Sequence, residues 1–266
     1  MNSITFAISK GGVGKSLLTA NVGAALARRK KKVVLVEGDP NRPLQSILGM
    51  ELARRQVKLD DVVKKDLKIQ EAVYSTGYDN LFLIPTGVPL ESYLEINPVL
   101  FARKLTRVDA DFMFVDTPFP LGKAAFLSLG VCEYFMMILT EDEFNLCVEA
   151  ALDTNRLGKY FFKCVPLGFV LNRIKTPERF TAGLIDDLED LLRVPCIAKI
   201  MEDKRVLKSY GGVKSQKAFL AYEKFEENGF KESIDKIVSK LLGGLPQPEK
   251  REIPRFLEEA MKPLKL

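Results

Sequence analysis

The sequence predicts an α/β fold, with a mostly parallel central sheet covered by helices on both faces in a three-layer arrangement. Short apolar runs alternate with amphipathic stretches along the chain, the pattern of strands joined by crossover helices. A glycine-rich turn, "SKGGVGKS", falls between the first such run and the first helical pattern. With 266 residues, 47% of them apolar and 28% charged, the chain can bury a full core within one large domain. Residues 1–242 are expected to be that domain.

Ile4, Phe6 and Ile8 alternate with smaller or polar residues, so Ser3 to Ile8 reads as a strand. Leu17, Leu18, Val22 and Ala25 then recur at helical spacing. Gly11, Gly12, Val13 and Gly14 form the turn between them. Its glycines can take backbone angles closed to other residues, so successive N–H groups converge on a phosphate at the positive end of the helix. Lys15 would reach the β- and γ-phosphates of a nucleotide, and the Ser16 hydroxyl would bind Mg²⁺. A glycine turn that binds nothing is the competing reading, but it leaves two lysines, Lys10 and Lys15, without an anion.

The run "RRKKK", Arg28 to Lys32, is the one local basic block. It reads either as cations complementing the end of the first helix or as a nucleic-acid contact. Lys32 to Glu37 is the second strand, and it closes in "EGDPN". A carboxylate just after such a run, facing the phosphate turn, can orient an attacking water or hold the metal's water shell; Asp39 is that candidate. The alternative is a solvated turn with Asp39 before Pro40. Further strands are expected at Leu81 to Ile84, Phe112 to Asp116, Phe135 to Leu139, Leu167 to Leu171 and Cys196 to Ile200. In "FMFVDTP" four apolar residues are closed by an acid, so Asp116 would contact Mg²⁺ through water or through Ser16. A loop with two prolines and Gly122 follows, a candidate γ-phosphate switch. "GFVLNR" ends a strand with Asn172, whose amide offers both the donor and the acceptor that adenine requires; a cap or turn role is its alternative.

These residues carry a resemblance. "KGGVGKS" resembles the deviant Walker A motif of the MinD, ParA, Mrp and nitrogenase-iron-protein ATPases, P-loop proteins in which the lysine before the glycine pair is the signature. The resemblance covers residues 1 to about 242 and is closest to archaeal and bacterial MinD-like proteins. It implies that two subunits face each other across two ATP molecules, with Lys10 crossing to the partner's phosphates. Asp39 then matches the water-positioning acid, and Glu37 stands where most relatives have aspartate. Asn172, with Arg173 beside it, matches the base-reading loop. "AKIMEDKRV" resembles the loop on the other side of the base, bringing Glu202 and Asp203, with Met201 in place of the usual proline. Leu17 replaces a hydroxyl that relatives commonly offer the α-phosphate. "DTPFPLG" departs from the "DxPAG" of many relatives.

Composition bounds the chemistry. Without histidine, any proton transfer falls to carboxylates, lysines or the phosphate itself. A net charge of +5 is too mild to imply nucleic acid. Cys132, Cys147, Cys164 and Cys196 have no metal-binding spacing and read as buried thiols. No apolar run reaches the roughly 18 residues that span a bilayer and no secretory leader is evident, so a cytoplasmic protein is expected.

"GGLPQPEK", residues 243–250, reads as a linker into a tail at 251–266. Ile253, Phe256, Leu257, Ala260, Met261 and Leu264 share one helical face, a stripe for a membrane, a partner groove or the protein's own body. MinD proteins carry a short membrane-docking helix at this end. The expected function is therefore a Mg²⁺-dependent ATPase, cycling between ATP and ADP, that dimerises in the ATP state and engages a protein activator or cargo. Alternatives are a metal-centre assembly ATPase of the Mrp or hydrogenase-maturation kind, a ParA-like partition ATPase, and a phosphate-binding scaffold without hydrolysis.

Overall fold

In the computed structural model, residues 1–53, 55–87, 98–116, 128–209, 219–225, 229–249 and 255 are described. Strand β1 (Asn2–Ala7) runs into the glycine turn and helix α1 (Lys15–Arg28). β2 (Val33–Glu37) leads to α2 (Pro43–Leu48) and α3 (Leu59–Lys64). A two-residue strand, β3 (Tyr74–Ser75), precedes β4 (Leu81–Ile84), α4 (Pro98–Leu105) and β5 (Phe112–Asp116). β6 (Tyr134–Thr140) and α5 (Phe144–Arg156) follow, then β7 (Val165–Ile174), α6 (Ala182–Leu192) and β8 (Cys196–Met201). α7 (Lys204–Lys208), α8 (Ala221–Lys224) and α9 (Gly229–Leu242) close the described order.

All eight strands form one sheet in the order β3-β4-β2-β5-β1-β6-β7-β8. Every pairing is parallel except β3 with β4. Each expected strand is present, its ends within three residues of the sequence reading. β3 was not expected, being a two-residue antiparallel edge with no room for a period-two pattern. Every residue of β2, β5 and β6 is buried, which requires cover on both faces of the sheet. α1 lies across the centre, against β1, β2 and β5, and packs on α9.

The basic block is largely absorbed by the fold. Arg28 pairs with Glu223, Lys32 with Asp109, and Arg29 with Asp235 while also donating to the Tyr222 hydroxyl. Its cations tie α1 to α8 and α9, which disfavours the nucleic-acid reading. Cys132, Cys147 and Cys164 are buried as expected; Cys196 is only half-buried. Among the described residues, no helix is long and apolar enough to cross a membrane. The expected γ-phosphate switch after Asp116 and the apolar stripe of the tail lie outside the described residues.

Candidate functional site

The carboxyl ends of β1, β2, β5, β7 and β8 meet the start of α1, where open parallel sheets place their ligands. A cavity of about 420 Å³ opens there. That size suits a nucleotide. Its floor is the turn Gly11, Gly12, Val13, Gly14, Lys15, Ser16 and Leu17, and Asp39 borders it. Asn172, Arg173, Glu202 and Asp203 form the far wall. The structure thus brings together nearly all the site residues chosen from sequence. Sequence reasoning missed the apolar wall, where Ile200, Val206, Leu207 and Phe230 give a flat base something to lie against. The helical periodicity of α9 marks Phe230 as inward-facing, but nothing local places it at this cavity.

Backbone geometry explains the turn. Gly12 and Gly14 have φ of +71° and +99°, the region disfavoured for L side chains. A Cβ on Gly14 would also lie 2.6 Å from Asn172 Nδ2. The Asn172 amide donates to Val13 O at 2.8 Å, so the end of β7 is stitched to the turn. Arg173, in the left-handed region at φ 57°, donates to Gly12 O at 3.3 Å and pairs with Glu202 at 3.1 Å. These contacts brace the base side of the cavity against the phosphate side. Asp203 caps α7, accepting from Arg205 N at 2.8 Å and pairing with its guanidinium. Arg205 therefore competes for any hydrogen bond Asp203 offers a base.

Three acids cluster below the turn, in different states. Asp39 is the least buried, half-exposed, and its Oδ1 accepts from Asn41 N and Nδ2 at 2.8 and 2.9 Å. Glu37 is fully buried and tied to Gln45. Burial raises its pKa to about 7, partly offset by those Gln45 bonds. Asp116 is also buried, and neither carboxylate oxygen has a hydrogen bond of normal geometry among the described residues. Burial raises its pKa to about 7, with the Ser16 hydroxyl near enough to oppose the shift. Lys15 is buried beside them and donates to Lys10 O at 2.9 Å. Burial lowers its pKa, while the charges of Asp116 and Asp39 hold it up.

A buried carboxylate without a normal hydrogen bond among the described residues, next to a serine hydroxyl and only partly offset by Lys15, fits a hydrated divalent cation, since burying such a charge is costly. Stability tests this directly. Both raised acids bind protons more tightly folded than unfolded, so their contribution falls as pH rises from about 4 to about 7 and stays low above it. Asp116→Asn should therefore stabilise the nucleotide-free chain at pH 8 by about 1 to 2 kcal/mol in urea unfolding. Equal or lower stability would mean that Lys15 already compensates the Asp116 charge.

Lys10 stands apart. It does not line the cavity of its own chain; its ammonium sits 2.6 Å from Glu143 Oε2 and 3.2 Å from Asp142 O. Burial acts against its charge, yet Glu143 holds its pKa above the ordinary lysine value.

Fold and cavity together define a P-loop nucleotide-binding protein. Residues 4–213 match the CobQ/CobB/MinD/ParA nucleotide binding domain. The chain belongs to that family. It is 31% identical over 97% of its length to an uncharacterized ATP-binding protein of Methanocaldococcus jannaschii, covering 95% of that protein. It is also 31% identical to the septum site-determining protein MinD of Synechocystis sp., over 78% of this chain and 79% of that one. Among solved structures it resembles the Pyrococcus furiosus cell division ATPase MinD, with TM-score 0.73 and 25% identity, covering 91% of this chain and 98% of the other.

Proposed function

We propose that the chain is a Mg²⁺-dependent ATPase that works as an ATP-driven dimerisation switch of the MinD type. The observation that carries this reading is one cavity joining the phosphate turn, the half-exposed Asp39 and the Asn172–Asp203 wall, with Lys10 held outside its lining by Glu143 and Asp142. The turn's N–H groups and Lys15 would hold the phosphates, and Ser16 and Asp116 would hold the metal's water shell. Bound Mg²⁺ would offset charge on the β- and γ-phosphates. Asp39 would orient the attacking water. Lys10 would swing from Glu143 toward the partner subunit's nucleotide, so that hydrolysis requires two chains. ATP binding accords with the name of the Methanocaldococcus relative, and Mg²⁺ with a Pyrococcus horikoshii MinD solved with Mg-ADP. A partner protein accords with the MinC:MinD complex known for Aquifex aeolicus. Light scattering and phosphate release with Mg·ATP against Mg·ADP test the reading. A chain that stays monomeric and releases no phosphate refutes it.

The tail at 251–266 is part of the same proposal, as a reversible membrane contact doubled by dimerisation. The full chain should sediment with anionic liposomes in ATP, and a chain ending at Gly244 should not. Equal sedimentation of the two removes the membrane role and favours the metal-centre assembly reading.

A further inference from the structure

Glu37 ends β2, where most of the relatives that the chain resembles have aspartate. Its contacts are with the helix that follows. Oε1 accepts from Gln45 N at 3.0 Å, and Oε2 is bonded to the Gln45 side-chain amide. Glu37 does not line the cavity and is 0% exposed.

Helix α2 accounts for this arrangement. Its N-cap, Arg42, is in the left-handed region at φ 57° and offers no side-chain cap. Pro43 at the first position has no N–H, so the next donors of the first turn need an acceptor from elsewhere. The Glu37 carboxyl group fills that role from the neighbouring strand end, accepting from Gln45 N. Leu44 and Ile47 bury the other side of α2 completely, so this helix is a fixed point.

Between Glu37 and α2 lies an arch, Gly38 to Arg42, that carries Asp39. One foot is fixed to β5 by Gly38 N donating to Asp116 O at 2.7 Å. The arch is closed on itself by Arg42 N donating to Asp39 O at 3.0 Å. Its other foot is α2, and Glu37 is the side chain that joins that foot to the sheet. An aspartate at this position would fall about one methylene, roughly 1.5 Å, short of the same bond.

We propose that Glu37 is a positioning residue for Asp39: through Gln45 it anchors the arch, and it takes no part in holding the metal. The kinetic half of this proposal rests on the ATPase reading above; the structural half does not. Glutamine at position 37 keeps the length, an acceptor for Gln45 N and a partner for the Gln45 amide, while removing the charge. Alanine removes all three.

The experiment compares Glu37→Gln, Glu37→Ala and Gln45→Ala with the parent in Mg·ATP turnover and in amide hydrogen exchange of residues 38–48 without nucleotide. Glu37→Gln should keep kcat within about threefold and exchange unchanged. Glu37→Ala should lose about tenfold or more in kcat and Gln45→Ala about threefold to fivefold, both with KM for ATP within about threefold. Exchange in the arch and α2 should quicken in both alanine variants. The proposal is overturned if Glu37→Gln is as slow as Glu37→Ala and needs more Mg²⁺, which would make the charge itself the function. Parent-like turnover and exchange in the alanine variants overturns it equally. If Glu37→Ala does not fold, Glu37→Gln and Gln45→Ala still decide between length and charge. A parent chain that hydrolyses no ATP refutes the proposed function, and the exchange comparison then decides the role of Glu37 alone.

Discussion

Asp39→Ala will bind ATP, form the dimer and hydrolyse about 100-fold or more slowly than the parent. The reason lies in how separately Asp39 is held. It borders the cavity, half-exposed, and among the described residues its side chain is bonded to Asn41. The phosphate turn is braced from the other side by Asn172 and Arg173, so removing the carboxylate leaves the cradle standing. On the proposed mechanism, what is lost is the group that orients water. Single-turnover phosphate release gives the rate, and light scattering in ATP gives the dimer. A variant that stays monomeric in ATP would make Asp39 a structural residue of the arch.

Lys10→Ala should remove hydrolysis that depends on dimer formation, again by about 100-fold or more, with ATP affinity within about threefold of the parent. Within one chain, Lys15 already occupies the cation position of the cavity, and Lys10 is turned away onto Glu143 and Asp142. The checking measurement is turnover as a function of protein concentration. In the parent the specific rate should rise with concentration; in the variant it should be low and flat. A variant with the parent's rate and concentration dependence would show that Lys10 serves nothing across an interface.

The sheet was legible in the sequence because its strands are buried on both faces and stand out as apolar runs. The phosphate turn was legible because positive φ at Gly12 and Gly14 leaves glycine as the residue that fits. Residues that work by tertiary partnership were harder to read. The use of Glu37 depends on Gln45, eight positions on, and on a helix cap of unusual geometry. Asp203 lines the cavity, as its loop implied, but its carboxylate is shared with Arg205, which no local pattern announces. Phe230 reaches the base wall from a helix that follows β8 by some way in the chain, a juxtaposition that no local pattern encodes.

The linker residues 243–249 carry a consequence of their own. The Tyr134 hydroxyl donates to Pro246 O at 2.9 Å, and the stretch from Gly244 to Pro248 borders a hollow with Met1, Asn2 and Phe112, where the parallel strands begin. The nucleotide cavity lies where the same strands end, roughly 15 to 20 Å away along the sheet. Residues 244–248 therefore sit at the pole opposite that cavity. A fluorophore at Pro248 would report without brushing a bound nucleotide and, on the proposed mechanism, a surface gripping residues 244–248 would leave the cavity mouth free to meet a second copy.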